Sequence, residues 1–140
     1  MGLRPGDLTV GQTFETVVVD DLKRTQIVQY AGASGDYNPL HTDEIYATKI
    51  AGYPTVFAHG MLTMGLTGRA LAELVGTDRL LRFGVRFTTQ VWPGETLTVA
   101  VTIDRLDDRD GTAVAELSVS TVNADGREVV SGYATVRLDR

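Results

Sequence analysis

Along the second half of the chain, apolar positions alternate with polar or small ones. Leu97, Val99, Val101 and Ile103 set a period of two; Ala115, Leu117 and Val119 repeat it, as do Val130, Gly132, Ala134, Val136 and Leu138. That period sends successive side chains to opposite faces, so these stretches predict half-buried antiparallel strands, with an earlier strand over 81–91. The connections carry turn chemistry: Trp92-Pro93-Gly94-Glu95 suits a type II turn, and Asp110-Gly111 and Asp125-Gly126 suit hairpins. The first half reads differently. Residues 14–19 are rich in β-branched side chains and predict a strand, and 22–33, with Ile27, Tyr30 and Ala31 apolar, predict a short helix. Over 36–57 no period holds, and Pro39, Gly52 and Pro54 interrupt regular structure, so this segment predicts a loop with one helical turn near 44–48. Helical spacing returns over 59–75, where Leu62, Leu66, Ala70 and Leu74 form one stripe. Gly60, Gly65 and Gly68 each cost that helix up to about 1 kcal/mol relative to alanine, which implies that a sheet, a partner subunit or a ligand approaches its backbone closely.

Strand, helix, irregular segment, buried helix and four strands make an α+β pattern, most economically a twisted antiparallel sheet wrapped around one helix. The length suits one domain spanning 1–140, and no repeat, low-complexity stretch or linker divides it. Such a sheet leaves an edge or a face needing cover, so a dimer with its sheets joined or packed side by side is expected.

Charge and composition narrow the function. A formal net charge of −5, with thirteen scattered basic residues, argues against a nucleic-acid surface. No apolar stretch reaches the length of a membrane span, and residues 1–10 lack the apolar core of a signal peptide, so a cytoplasmic protein is expected. The absence of cysteine removes disulfides, thiolate catalysis and Cys-ligated zinc, and His41 and His59 are the only histidines. Asp107, Asp108 and Asp110 read as a solvated turn, and Met61 and Met64 as core or tunnel lining.

The chemistry is concentrated in Gly35-Asp36-Tyr37-Asn38-Pro39-Leu40-His41 and Ala58-His59-Gly60-Met61-Leu62. Pro39 fixes its own φ and biases Asn38 away from helix, so one stiffened loop can present both Asp36 and His41. A carboxylate and an imidazole held together can share a water, removing a proton at one place and delivering one nearby. His59-Gly60 opens the buried helix, whose first N–H groups have no intrahelical partners and whose dipole favours an oxyanion; glycine there lets a substrate carbonyl come close.

These two segments resemble the signatures of the MaoC-like (R)-specific enoyl-CoA hydratases, with Ala47 six residues after His41 in the first. The similarity continues through Arg86-Phe87-Thr88 and Val91-Trp92-Pro93-Gly94-Glu95-Thr96-Leu97 and so covers most of the chain. The short length and Thr63-Met64-Gly65 further resemble the catalytic subunit of the (3R)-hydroxyacyl-ACP dehydratase heterodimers of mycolic-acid-type fatty acid elongation. The resemblance implies a hotdog fold and a hydro-lyase without cofactor or metal, acting on acyl-CoA or acyl-ACP thioesters in fatty acid metabolism, as a homodimer or with a second hotdog subunit. It implies that Asp36 and His41 grip the catalytic water, that the Gly60 N–H receives the thioester oxygen, and that Asn38 orients the pair from behind. Where related hydratases place a serine in the buried helix, this chain has Thr67 and Gly68.

Other readings stand beside it. His59 is expected to cap the helix or hydrogen-bond within the subunit; Asp36, His41 and His59 together form a weak candidate for a three-ligand metal site. Arg82 and Arg86 are the basic residues available to carrier phosphates. The same fold could host a thioesterase, or a non-catalytic partner subunit that binds acyl chains, although the intact Asp/His pair weighs against the latter.

Overall fold

The computed structural model describes residues 3–139; Met1 and Gly2 of the leading 1–10 segment, and Arg140, lie outside the described residues. Five strands, β1 (Thr13–Val19), β2 (Leu80–Phe87), β3 (Leu97–Arg109), β4 (Thr112–Val122) and β5 (Glu128–Arg137), pair antiparallel in the order β1-β3-β4-β5-β2. Helix α1 (Arg24–Ser34) and a single turn α2 (Pro39–Thr42) follow β1, and the long helix α3 (Gly60–Val75) precedes β2.

Alternation along the strands decides which face meets α3. Leu97, Val99, Val101 and Ile103 on β3, Leu117 and Val119 on β4, and Val130, Ala134 and Val136 on β5 are all buried, in one cluster with Leu62, Leu66, Ala70, Leu71 and Val75 of the helix. Each such side chain contributes about 1.5–3 kcal/mol through burial. The helix buries more than the single stripe that its apolar residues predict: Thr63, Thr67, Leu71 and Val75 form a second buried row, while Leu74 is only half-buried. The reason is that the curved sheet encloses the helix on more than one side. A register shift between Ile103 and Arg105 lets β3 carry its curl against β4.

The glycines of α3 separate into two kinds. A Cβ on Gly60 would stand 3.3 Å from the Phe87 ring, and one on Gly68 would stand 3.1 Å from that of Phe83; around Gly65 nothing lies within 4 Å. The approach is therefore made by aromatic side chains of β2, at two glycines of the three. The turns follow their residues: Glu95 N–H closes onto the Trp92 carbonyl at 3.2 Å, and Asp110 (φ 53°) with Gly111 (φ 83°) makes the two-residue β3–β4 hairpin. Strand β2 ends at Phe87, short of the expected 91, because Thr88 N–H turns to the Val129 carbonyl and Ala58 N–H takes the Val91 carbonyl. No helix among the described residues is long and apolar enough to cross a membrane.

Candidate functional site

The irregular segment between α1 and α3 is held by helix ends and polar ties. Helix α1 stops at Gly35, whose left-handed φ of 75° and N–H to the Ala31 carbonyl at 3.0 Å turn the chain sharply into Asp36. Asn38 then caps α2 by accepting the Leu40 N–H at 3.0 Å, with Pro39 in the first helical turn. The sequence reading of a stiff loop at this point is corrected to a short capped helix; Asn followed by Pro is the signal for one. The expected turn at 44–48 is a π-helical turn, Tyr46–Ile50, with Ala47 fully buried.

Glu44 fastens this segment to α1. Its carboxylate accepts from Arg24 Nη1 at 2.8 Å, Thr55 Oγ1 at 2.8 Å and the Val56 N–H at 3.3 Å. The hydrogen bond from Arg24, then that from Thr55, hold its pKa below the usual carboxylate value.

Asp36, His41 and His59 come together: one side-chain donor atom from each lies within 4.8 Å of the others. Asp36 Oδ1 accepts the Asn38 N–H at 3.2 Å, so Asn38 meets the carboxylate through its main chain while its carboxamide caps α2. His41 Nδ1 sits 2.6 Å from the Phe57 carbonyl. A carbonyl only accepts, so Nδ1 carries the hydrogen and Nε2 keeps its lone pair. Burial lowers the His41 pKa, the Phe57 carbonyl opposes this, and the neighbouring His59 lowers it further against the raising influence of Asp36. Phe57 is a site residue that sequence reasoning missed, because its main-chain oxygen acts and any side chain would supply one.

His59 is 1% exposed and precedes α3 without a side-chain cap bond; its Nε2 meets the Asp36 carbonyl at 3.0 Å instead. Its ring stacks on His41, centroids 4.0 Å apart and planes 28° from parallel. The three residues are near enough to ligate, and His59 Nε2 is engaged by a carbonyl.

Gly60 is exposed at the start of α3, where helix geometry leaves N–H groups without intrahelical partners. Beside it lies a cavity of about 300 Å³ lined by Phe57, Ala58, Gly60, Thr63, Phe87 and Val91 among others. Phe57 thus touches His41 with its carbonyl and lines the cavity that reaches Gly60. Deeper in α3, the fully buried Thr67 hydroxyl donates to the Thr63 carbonyl at 2.9 Å and pairs with Thr121 Oγ1 at 2.7 Å, tying helix to sheet at the departure from the serine of related hydratases. Of the two methionines expected as core or tunnel lining, Met61, in the first turn of α3, is 54% exposed and so is not core, while Met64 is half-buried. Arg82 lies over the Tyr133 ring at 4.9 Å, and Arg86 is exposed on β2.

Comparison with known proteins identifies the family and the fold. Residues 7–124 match the MaoC like domain. The chain is 34% identical over 125 residues to the peroxisomal enoyl-CoA hydratase 2 of Arabidopsis thaliana, covering 87% of this chain and 37% of that protein. It is 48% identical over 71 residues to 3-hydroxyacyl-thioester dehydratase Y of Mycobacterium tuberculosis, covering 49% of this chain and 24% of that protein. It therefore spans well under half the length of these curated relatives. Among solved structures, the R-hydratase PhaJ1 of Pseudomonas aeruginosa superposes with a TM-score of 0.83 at 26% identity, covering 99% of this chain and 87% of that one. The (R)-hydratase of A. caviae, involved in PHA biosynthesis, does so with a TM-score of 0.80 at 27% identity, covering 94% and 98%. With its five-stranded sheet wrapped around α3 and the family match running from before β1 into the turn after β4, this chain belongs to the MaoC-like dehydratase family and has the hotdog fold.

Proposed function

We propose that this chain hydrates trans-2-enoyl thioesters to (3R)-hydroxyacyl thioesters, or runs the reverse dehydration, as a hydro-lyase of fatty acid metabolism in the cytoplasm, on CoA or acyl-carrier-protein substrates. The observation that carries the reading is that one carboxylate oxygen of Asp36 and one ring nitrogen of His41 lie within 4.8 Å of each other, while the Phe57 carbonyl occupies Nδ1 and leaves the His41 lone pair on Nε2. Two hydrogen bonds of about 2.8 Å from one water span such a gap. In hydration the pair takes a proton from that water as its oxygen bonds to C3. The π electrons of the C2–C3 bond move toward the thioester oxygen, where the Gly60 N–H and the α3 terminus receive the charge, and C2 then takes a proton back from the pair. Asn38 supports the geometry by donating its N–H to Asp36 and capping the turn that carries His41. The acyl chain enters the cavity between Gly60, Phe57 and Phe87. The names of the relatives and the two matched motifs support the reading; the thioesterase alternative has no specific feature in its favour.

The second hotdog subunit, identical or different, is placed against β2. This strand ends the sheet, and Leu81 and Phe87 on it are 56% and 52% exposed. A stable monomer at micromolar concentration in light scattering would refute that placement.

The activity is tested with a trans-2-enoyl-CoA, following loss of the conjugated enoyl absorbance. Wild type should consume it without releasing free thiol, and folded Asp36→Asn and His41→Ala variants should be nearly inactive. Full activity in either variant removes the role assignment; thiol release makes the protein a thioesterase.

A further inference from the structure

Resting on the hydratase reading, we infer that His59 is a positioning residue that braces Asp36 and His41 at once, through a hydrogen bond to the main chain of one and a ring stack on the other.

Three contacts carry this. The Asp36 carbonyl can only accept, so His59 Nε2 supplies the hydrogen of the 3.0 Å bond and fixes the main chain from which the carboxylate projects. The His59 ring stacks on the His41 ring with centroids 4.0 Å apart, which limits rotation of the imidazole. The Tyr30 ring, its centroid 4.8 Å from that of His59 and its plane at 64°, packs on the stack from α1. One ring therefore ties the end of α1, the Asp36 turn, α2 and the start of α3 to each other. The groups facing it are Tyr30, His41 and Asp36, the last through both its main-chain carbonyl and its carboxylate, one atom of which lies within 4.8 Å of a His59 ring nitrogen.

A space-filling role alone does not account for the residue. His59 Nδ1 is buried and has no hydrogen-bond partner among the described residues, an arrangement less stable than an apolar side chain of the same shape. A residue that only filled this volume would do better as leucine or phenylalanine. What those residues lack is an N–H for Asp36, and leucine also lacks a flat face for His41. No side-chain cap bond to α3 supplies another reason for histidine here.

The test uses the whole chain with His59→Phe, which keeps the face and loses the N–H, and His59→Gln, which keeps an N–H and loses the face. Each should lower kcat by about 100-fold, the scale of a misplaced reacting group, with KM within about twofold because the acyl cavity is unchanged. In His59→Phe the acidic limb of kcat/KM should also move to higher pH, since His59 is one of the influences that lower the His41 pKa. A merely structural role would change thermal stability and leave kcat of the folded variants near that of wild type. Wild-type kcat in either folded variant would overturn the inference. So would ¹⁵N spectra of the wild-type protein showing His59 with its hydrogen on Nδ1; the expected spectra show it on Nε2, and on Nδ1 for His41, and need no variant to fold. Asp36→Asn and His41→Ala are assayed alongside. If they stay active the hydratase roles fail, whereas if they are inactive while the His59 variants are not, only the bracing role fails.

Discussion

Alanine at two glycines of α3 should change stability by different amounts, and the difference can be worked from two distances. Replacing glycine by alanine in a helix interior stabilises by up to about 1 kcal/mol, because the unfolded chain loses freedom that glycine alone enjoys. At Gly65 nothing lies within 4 Å of the new Cβ, so that gain stands unopposed. At Gly68 the methyl would stand 3.1 Å from Phe83 Cε2, and Phe83 is packed against the buried core between α3 and β2. Forcing that ring aside costs about 1–3 kcal/mol. The helix contribution is common to both variants and cancels in the comparison, leaving Gly68→Ala less stable than Gly65→Ala by about 1–3 kcal/mol. For a chain of this size each kcal/mol moves Tm by about 3 °C. Gly65→Ala should therefore melt about 3 °C above wild type and Gly68→Ala about 3–9 °C below Gly65→Ala, in circular-dichroism melts at one fixed protein concentration. Equal Tm values for the two variants would refute the claim that β2 aromatics select glycine on this helix. A Gly65→Ala variant that melts below wild type would show instead that the open face of α3 is covered in solution.

Two further outcomes follow from titrating groups. Because burial lowers the His41 pKa below 6.5 and its Nε2 serves as base only when unprotonated, kcat/KM for enoyl-thioester hydration should fall only as pH drops below that value; an acidic limb at or above it would contradict the site's electrostatics. Glu44 has a pKa lowered in the folded state, first by Arg24 and then by Thr55, so its stabilising effect is present above the unfolded carboxylate pKa and is lost as pH falls through the folded one. Glu44→Gln should accordingly melt below wild type at neutral pH, the two curves converging in acid; a constant gap at every pH would assign the loss to packing.

The sheet was legible in the sequence because its signal is local. Leu97 to Ile103 alternate, and each lands on the buried face; Asp110-Gly111 announces its hairpin through residues that tolerate positive φ. The candidate residues were legible as a pair of motifs, and the structure brings Asp36, His41 and His59 together. What could not be read depends on tertiary contact. The second buried row of α3, through Thr63 and Thr67, has polar side chains and drops out of an apolar stripe; those residues are buried because the curved sheet reaches that side and Thr121 answers the Thr67 hydroxyl. The Phe57 carbonyl that sets the His41 tautomer has no sequence signal, and the choice between capping and a distant hydrogen bond for His59 required Asp36 in place.

These unread contacts share a cause. From residue 34 to residue 57, where the reactive groups are carried, only Ala47 and Val56 are buried apolar residues, so the hydrophobic core cannot fix the segment's conformation to a fraction of an ångström. Apolar burial is non-directional in any case; what sets the angle of a carboxylate or an imidazole is a hydrogen bond or a stacked ring. The segment has these at each critical point: the Gly35 cap before Asp36, the Asn38 cap before His41, the Glu44 knot to Arg24 and Thr55, and His59 beneath both reactive side chains. Stability and function are thereby assigned to different interactions. Losses in the packing of helix on sheet, such as Gly68→Ala, should appear first in Tm, whereas losses at the polar ties should appear first in kcat, because removing a directional contact from a segment with little buried area misaligns the reacting groups before it unfolds the chain.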